Sequence, residues 1–174
     1  MRDWVVDTIA GARSAFPVNV IARNDGAASG QFLLGGFRPD LIPGVPLYVD
    51  DGSVAGGRRI NRAAFAAPPA SPLRQGTLGR NALRGFPFFQ TDLALRREFK
   101  LTETVKLQFR TEFFNLFNHP NFENPVNQLG NPLFGQSTQA LGRSLGTSGG
   151  EGGFSPLYQA GGPRSIQFAL KLIF

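Results

Sequence analysis

The stretch from Gln90 to Asn118, QTDLALRREFKLTETVKLQFRTEFFNLFN, reads in steps of two. Thr91, Leu93, Leu95, Arg97, Phe99 and Leu101 fall on one side, and Gln90, Asp92, Ala94, Arg96, Glu98 and Lys100 on the other. After Thr102-Glu103-Thr104, Val105, Leu107, Phe109, Thr111 and Phe113 alternate with Lys106, Gln108, Arg110 and Glu112. A strand turns successive side chains to opposite faces, so two alternating runs joined by a very short polar turn predict an antiparallel hairpin. Val105, Phe109, Phe113 and Phe117 are also four apart, a spacing that an amphipathic helix accepts. Leu107 interrupts that stripe, and the aromatic and β-branched content favours strand.

Outward from the hairpin, the C-terminal RSIQFALKLIF (Arg164–Phe174) repeats the alternation, with Ile166, Phe168, Leu170, Leu172 and Phe174 on one face. A helix would scatter these five around its circumference. Chain ends normally fray, so a strand that runs to its last residue needs something to hold it. At the other end, DWVVDTIAGAR (Asp3–Arg13) alternates weakly, with apolar residues on both faces, and the pattern resumes in VNVIAR. Between these segments lie RPDLIPGVP, DDGSVAGGRR and AAPPASP, all rich in turn chemistry. The expected organisation is a strand segment 1–23, a long loop 24–87, a hairpin 88–118, a second long loop 119–162 and a final strand 163–174. Loops of that length are unusual in a compact soluble domain and call for an explanation.

Composition is consistent with short ordered segments in a loop-rich chain: 22 Gly and 13 Pro in 174 residues, with 17 Phe against two Tyr and one Trp. The absence of cysteine excludes disulfides, thiolate zinc sites and cysteine nucleophiles. No apolar run is long enough for a transmembrane helix, and Asp3 and Asp7 interrupt any signal-peptide core at the start. The net charge of +6, with 15 of 18 basic residues arginine, raises a nucleic-acid reading. Against it, the basic residues are dispersed, adjacent only at Arg58-Arg59 and Arg96-Arg97, and no nucleic-acid-binding motif accompanies them.

The hairpin alternation alone fits a soluble sandwich as well as a membrane barrel. Three features favour the barrel. The strands run to about ten residues, the length that crosses a bilayer at barrel tilt. One connection is a tight turn and two are long, the asymmetry of membrane barrels. Phenylalanines crowd FFNLFNHPNF (Phe113–Phe122), where an aromatic girdle would meet lipid headgroups. The expected fold is all-β: antiparallel strands from the C-terminal end of a transmembrane β-barrel, with long extracellular loops and the barrel not closed.

The hairpin together with GGPRSIQFALKLIF (Gly161–Phe174) resembles the C-terminal end of TonB-dependent outer-membrane receptors. The upstream GTLGRNALRGFPFFQTDLAL and RPDLIPGVPLYVDD are similar to the Oar-like, carboxypeptidase-regulatory-like subgroup. Asn115-Leu116-Phe117 stands where that family closes a strand before an outer loop. Gly162-Pro163-Arg164 stands, with slightly different spacing, where it leads into its last strand. The resemblance covers residues 75–174 well and the first half more loosely.

It implies that the terminal strand pairs on both edges and that Ile166, Phe168, Leu170, Leu172 and Phe174 form the signal read by the barrel-assembly machinery. It further implies that Asp92, Arg96, Glu98, Lys106, Arg110 and Glu112 face the lumen, either as a cross-strand ladder or as a substrate lining. Both long loops would lie outside the cell and the Thr102–Thr104 turn in the periplasm. Such receptors have about 22 strands and a plugged lumen, so the chain is expected to be the C-terminal part of a longer receptor. TonB would engage parts missing from it, and outer-membrane lipid would surround the strands.

No catalytic, cofactor-binding or metal site is expected. His119 reads as a loop residue at a strand end, and Asp50-Asp51 as a turn without calcium-loop spacing. The glycine run 146–153 lacks the Gly-Lys-Ser/Thr of a phosphate-binding loop and reads as a flexible outer loop. Three functions are weighed: a receptor or transporter segment, a surface-binding, adhesin-like β-protein without transport, and a soluble basic nucleic-acid binder.

Overall fold

The structure, a computed structural model, describes residues 4–22, 36–69, 71–72, 74–144 and 160–174. The described strands, in chain order, are β1 (Trp4–Arg13), β2 (Pro17–Val18), β3 (Asp40–Leu41), β4 (Tyr48–Asp50) and β5 (Arg58–Ile60). They continue with β6 (Phe65–Ala66), β7 (Leu83–Arg84), β8 (Phe88–Lys100), β9 (Lys106–Phe114) and β10 (Ser165–Ile173). Helix among the described residues is confined to short turns such as α1 (Leu141–Ser144). The fold is all-β and antiparallel. Its long strands form one open sheet in the order β1-β8-β9-β10.

The chain divides into two compact units. The first is the long-stranded sheet with the segments that follow β9 and precede β10. β8 runs beside β1 from Trp4↔Arg97 to Arg13↔Phe88, and beside β9 from Leu93↔Phe113 to Lys100↔Lys106. β10 pairs with β9 from Ser165↔Phe114 to Ile173↔Lys106. The alternating apolar residues of β8 and β9 therefore meet across the ladder on one face. Gly11 sits where a Cβ would come within 3.2 Å of the Phe88 ring, so a glycine in mid-strand lets that ring lie over β1.

Two strand ends differ from the sequence expectation. Leu101 and Val105 belong to the turn, not to the strands. The N–H groups of Leu101 and Thr102 both donate to the Val105 carbonyl (3.0 and 3.1 Å), and the Val105 N–H donates to Thr102 Oγ1 (3.0 Å). This local polar closure offers the backbone better partners than one more ladder rung. The first segment also stops at Arg13; beyond it Pro17–Val18 pair with β7 and Ile21 makes an isolated bridge to Gln128.

The second unit comprises Ser14–Pro87 and Phe122–Gln139. Its described part is not structureless. Three two-stranded ladders, β2–β7, β3–β6 and β4–β5, surround a core of Val18, Val20, Ile60, Ala64, Phe65, Leu78, Leu83, Leu129 and Phe134. Residues from both expected loops contribute to that one core. Leu129 donates its N–H to the Ile21 carbonyl (2.8 Å), and Ile60 donates to the Gly135 carbonyl (2.9 Å). Gly135 has φ +81°, and a Cβ there would strike the Ile60 backbone, so this close seam needs glycine. Residues 24–35 and the glycine run 146–153 lie outside the described residues.

Candidate membrane-spanning surface

The register sorts the sheet into two faces. On one lie Trp4, Val6 and Thr8 of β1, Phe89, Leu93, Leu95, Arg97 and Phe99 of β8, Leu107, Phe109, Thr111 and Phe113 of β9, and Ile166, Phe168, Leu170 and Leu172 of β10. No described residue covers this face: Phe168 and Leu170 are each 71% exposed and Val6 61%. Soluble monomers rarely expose a contiguous apolar patch of this kind, which marks a surface that meets lipid or another protein. Phe174 follows β10 and is itself exposed.

Aromatic residues bracket the face at both ends. Phe89 lies at one end, with the His119 ring packed edge-on against it at 5.8 Å. At the other, Trp4 and Phe99 lie beside Arg97, whose guanidinium carbon is 5.2 and 4.6 Å from their ring centres. From Phe89 to Phe99 the strand rises roughly 33 Å at about 3.3 Å per residue. At a barrel tilt of about 40° this projects to ~25 Å, the height of the apolar band of an outer-membrane barrel.

The opposite face carries Asp92, Arg96 and Glu98 of β8 and Lys106, Arg110 and Glu112 of β9. These six share a face, but they do not form a simple alternating ladder. Arg96 stands directly opposite Arg110, and Lys100 opposite Lys106. Arg110 pairs instead with Glu112 on its own strand, and Glu98 accepts from Gln108 Nε2 (2.8 Å). The face is not purely polar, since Val5 and Ile9 of β1 also point this way.

At the end of the sheet away from the short turn, a buried polar clasp joins β8, β9 and the approach to β10. Asn115 takes a left-handed conformation (φ 49°), which asparagine tolerates better than most residues, and is 1% exposed. Its N–H donates to Asp92 Oδ1 (2.8 Å), its Nδ2 donates to the carbonyls of His119 and Gly162 (2.9 Å each), and its Oδ1 accepts the His119 N–H (2.9 Å). Asp92 Oδ1 also accepts from Gln90 Nε2 (2.8 Å), and Gln90 Oε1 accepts the Gly161 N–H (2.7 Å). Asn121 exchanges two hydrogen bonds with the Phe89 backbone (2.9 and 3.0 Å). Asp92 is thus a structural acceptor in this clasp. Gln90 and Asn121 were not singled out in the sequence, where only the Asn115-Leu116-Phe117 motif hinted at a strand closure.

In the second unit, both oxygens of Asp40 receive the Arg74 guanidinium (2.7 and 2.8 Å), and Oδ1 also takes the Thr77 N–H (3.0 Å). The Arg74 fork, and after it the Thr77 N–H, hold the Asp40 carboxyl below its ordinary range. Asp51 accepts from the Ser53 hydroxyl and N–H and faces Arg59 (3.2 Å), a turn held by its own side chains. A cleft of about 630 Å³ in this unit is lined by Phe65, Leu129 and Phe134 together with Arg59 and Arg62.

A family model described as an outer membrane beta barrel domain matches residues 1–160. The match takes in β1, β8 and β9 and ends before β10. Searches of curated proteins and of solved structures found no match.

Proposed function

The chain belongs to the outer membrane beta barrel domain family, whose place is the outer membrane, and from that premise we propose that its long sheet is a wall segment of a TonB-dependent receptor. In this reading the intact receptor takes up or handles a large or scarce substrate by energy-coupled transport, and the chain is its C-terminal part. One observation carries the reading. Four antiparallel strands present a continuous apolar face that no described residue covers, and the other face of β8 and β9 is charged, with a short turn at one end and long excursions at the other. Backbone groups in lipid must be paired, so the open edges of β1 and β10 are filled by further strands.

The apolar face contacts lipid, and Asp92, Arg96, Glu98, Lys106, Arg110 and Glu112 face the interior. The short turn is periplasmic and the excursions are external. The terminal face of Ile166, Phe168, Leu170, Leu172 and Phe174 is the assembly signal. TonB engages through parts outside this chain, and the proposed role is neither enzymatic nor nucleic-acid binding.

The test is an immunoblot of outer-membrane fractions with antibody to residues 119–139. A heat-modifiable band far larger than the 18.8 kDa of this chain, whose substrate uptake stops when TonB is deleted, supports the reading. An 18.8 kDa band in the soluble fraction sinks it. A second reading, surface binding without transport, is favoured by the cleft and shared core of the second unit. Ligand retention that survives TonB deletion would select it.

A further inference from the structure

On the barrel-wall reading above, we propose that Arg97 is a binding site for the phosphate of a membrane phospholipid in the leaflet at the short-turn end of the sheet. Arg97 is the one charged side chain on the described apolar face. Its guanidinium makes no hydrogen bond or ion pair with any described residue, and its Nε is buried without a partner. Its guanidinium carbon lies over the Trp4 and Phe99 rings, within cation–π reach of both.

A charge at the middle of a lipid-facing strand is strongly destabilising, and near the interface it costs little. Arg97 lies three residues before the end of β8, roughly 10 Å along the strand. Its stem can therefore run over the apolar surface and bring the charged head to headgroup depth. Contact with both rings limits where the guanidinium can lie, and its donors form the fork that matches two oxygens of a phosphate. The surrounding Leu95, Leu107 and Phe109 suit acyl chain, so a lipid phosphate fits this site better than a free one.

Trp4 is the only tryptophan and one wall of the site, so its fluorescence reports occupancy directly. The experiment titrates phosphatidylglycerol, a phosphate-free galactolipid, or inorganic phosphate into the full chain in maltoside micelles. Phosphatidylglycerol is expected to bind about tenfold more tightly than galactolipid. Arg97→Gln is expected to remove that preference, Arg97→Lys to keep part of it, and Arg80→Gln, on the other unit, to leave it intact.

Circular dichroism of each variant separates lost folding from lost binding; a misfolded Arg97→Gln leaves the lipid preference and the Arg97→Lys curve to decide. Equal binding of the two lipids, or a folded Arg97→Gln that binds as the unsubstituted chain does, overturns the site. Equal occupancy by inorganic phosphate also overturns it as a lipid site. Quenching of Trp4 by brominated lipids in vesicles tests the wall reading separately: quenching without phosphate preference sinks this inference alone, and no quenching sinks both.

Discussion

Asp92 accepts the backbone N–H of Asn115, the residue just past the end of the neighbouring strand, at 2.8 Å. The contact joins a carboxylate on the charged face of β8 to the residue that turns the chain out of β9. Around it, the side chain of Asn115 uses both its donor and its acceptor groups on backbone up to 47 residues away. A buried network of this kind is stabilising only while every member is satisfied.

Asn115→Ala leaves the carbonyls of His119 and Gly162 without their donor and keeps a strained positive φ. We expect a loss of about 2–4 kcal/mol, read as a lower urea midpoint of the micelle-folded chain. Asn115→Gly relieves the backbone but not the lost bonds, so it should fall between the two. Equal midpoints for all three chains would show that the clasp adds nothing.

Thr111 is 5% exposed between Leu95 and Phe168, and its hydroxyl has no partner among the described residues. Thr111→Val keeps the shape and removes the unsatisfied group. A gain of about 1 kcal/mol is expected, measurable in the same denaturation series.

Arg96 and Arg110 face each other directly across β8 and β9. Arg96→Glu turns a like-charge pair into an opposite one, for a gain of about 0.5–1 kcal/mol at low salt. Raising ionic strength to 1 M should erase most of the difference; a gain that persists there would point to packing instead.

Asp40 is held below its ordinary carboxyl range by Arg74 first and then Thr77. A carboxyl whose folded value is depressed adds stability that is complete above the unfolded value and is lost as pH falls through the folded one. The Thr77 amide resonance should therefore hold constant above the unfolded carboxyl value of about 3.9 and shift only as pH falls below it. In Arg74→Ala that shift should move to higher pH.

The long sheet was legible because its strands are long enough for a period of two to show, and because the same period assigns both faces. Leu107, Phe109 and Phe168 could be placed from spacing alone. The polar turn was visible too, but its extent was set by the hydroxyl of Thr102, which captured Val105 from the strand. The second unit was illegible for the opposite reason. Its strands are two or three residues long, and core residues such as Val20, Ile60, Leu83 and Phe134 are brought together by tertiary packing, not by a local pattern. Asn115 stood out as part of a motif, yet its role depends on a positive φ and on Gly162, far along the chain.

The shared core of the second unit also sets an order of events. Ile60 and Leu83 precede the hairpin in the chain, while Leu129 and Phe134 follow it. The first excursion therefore cannot complete its core until the chain beyond the hairpin arrives. Local pairing of β8 with β9 closes a short loop and is fast, whereas this second closure spans the whole hairpin and comes later. Lengthening the hairpin turn should leave the finished fold nearly unchanged while delaying the second unit, which makes that interval the point at which a chaperone or a protease can act.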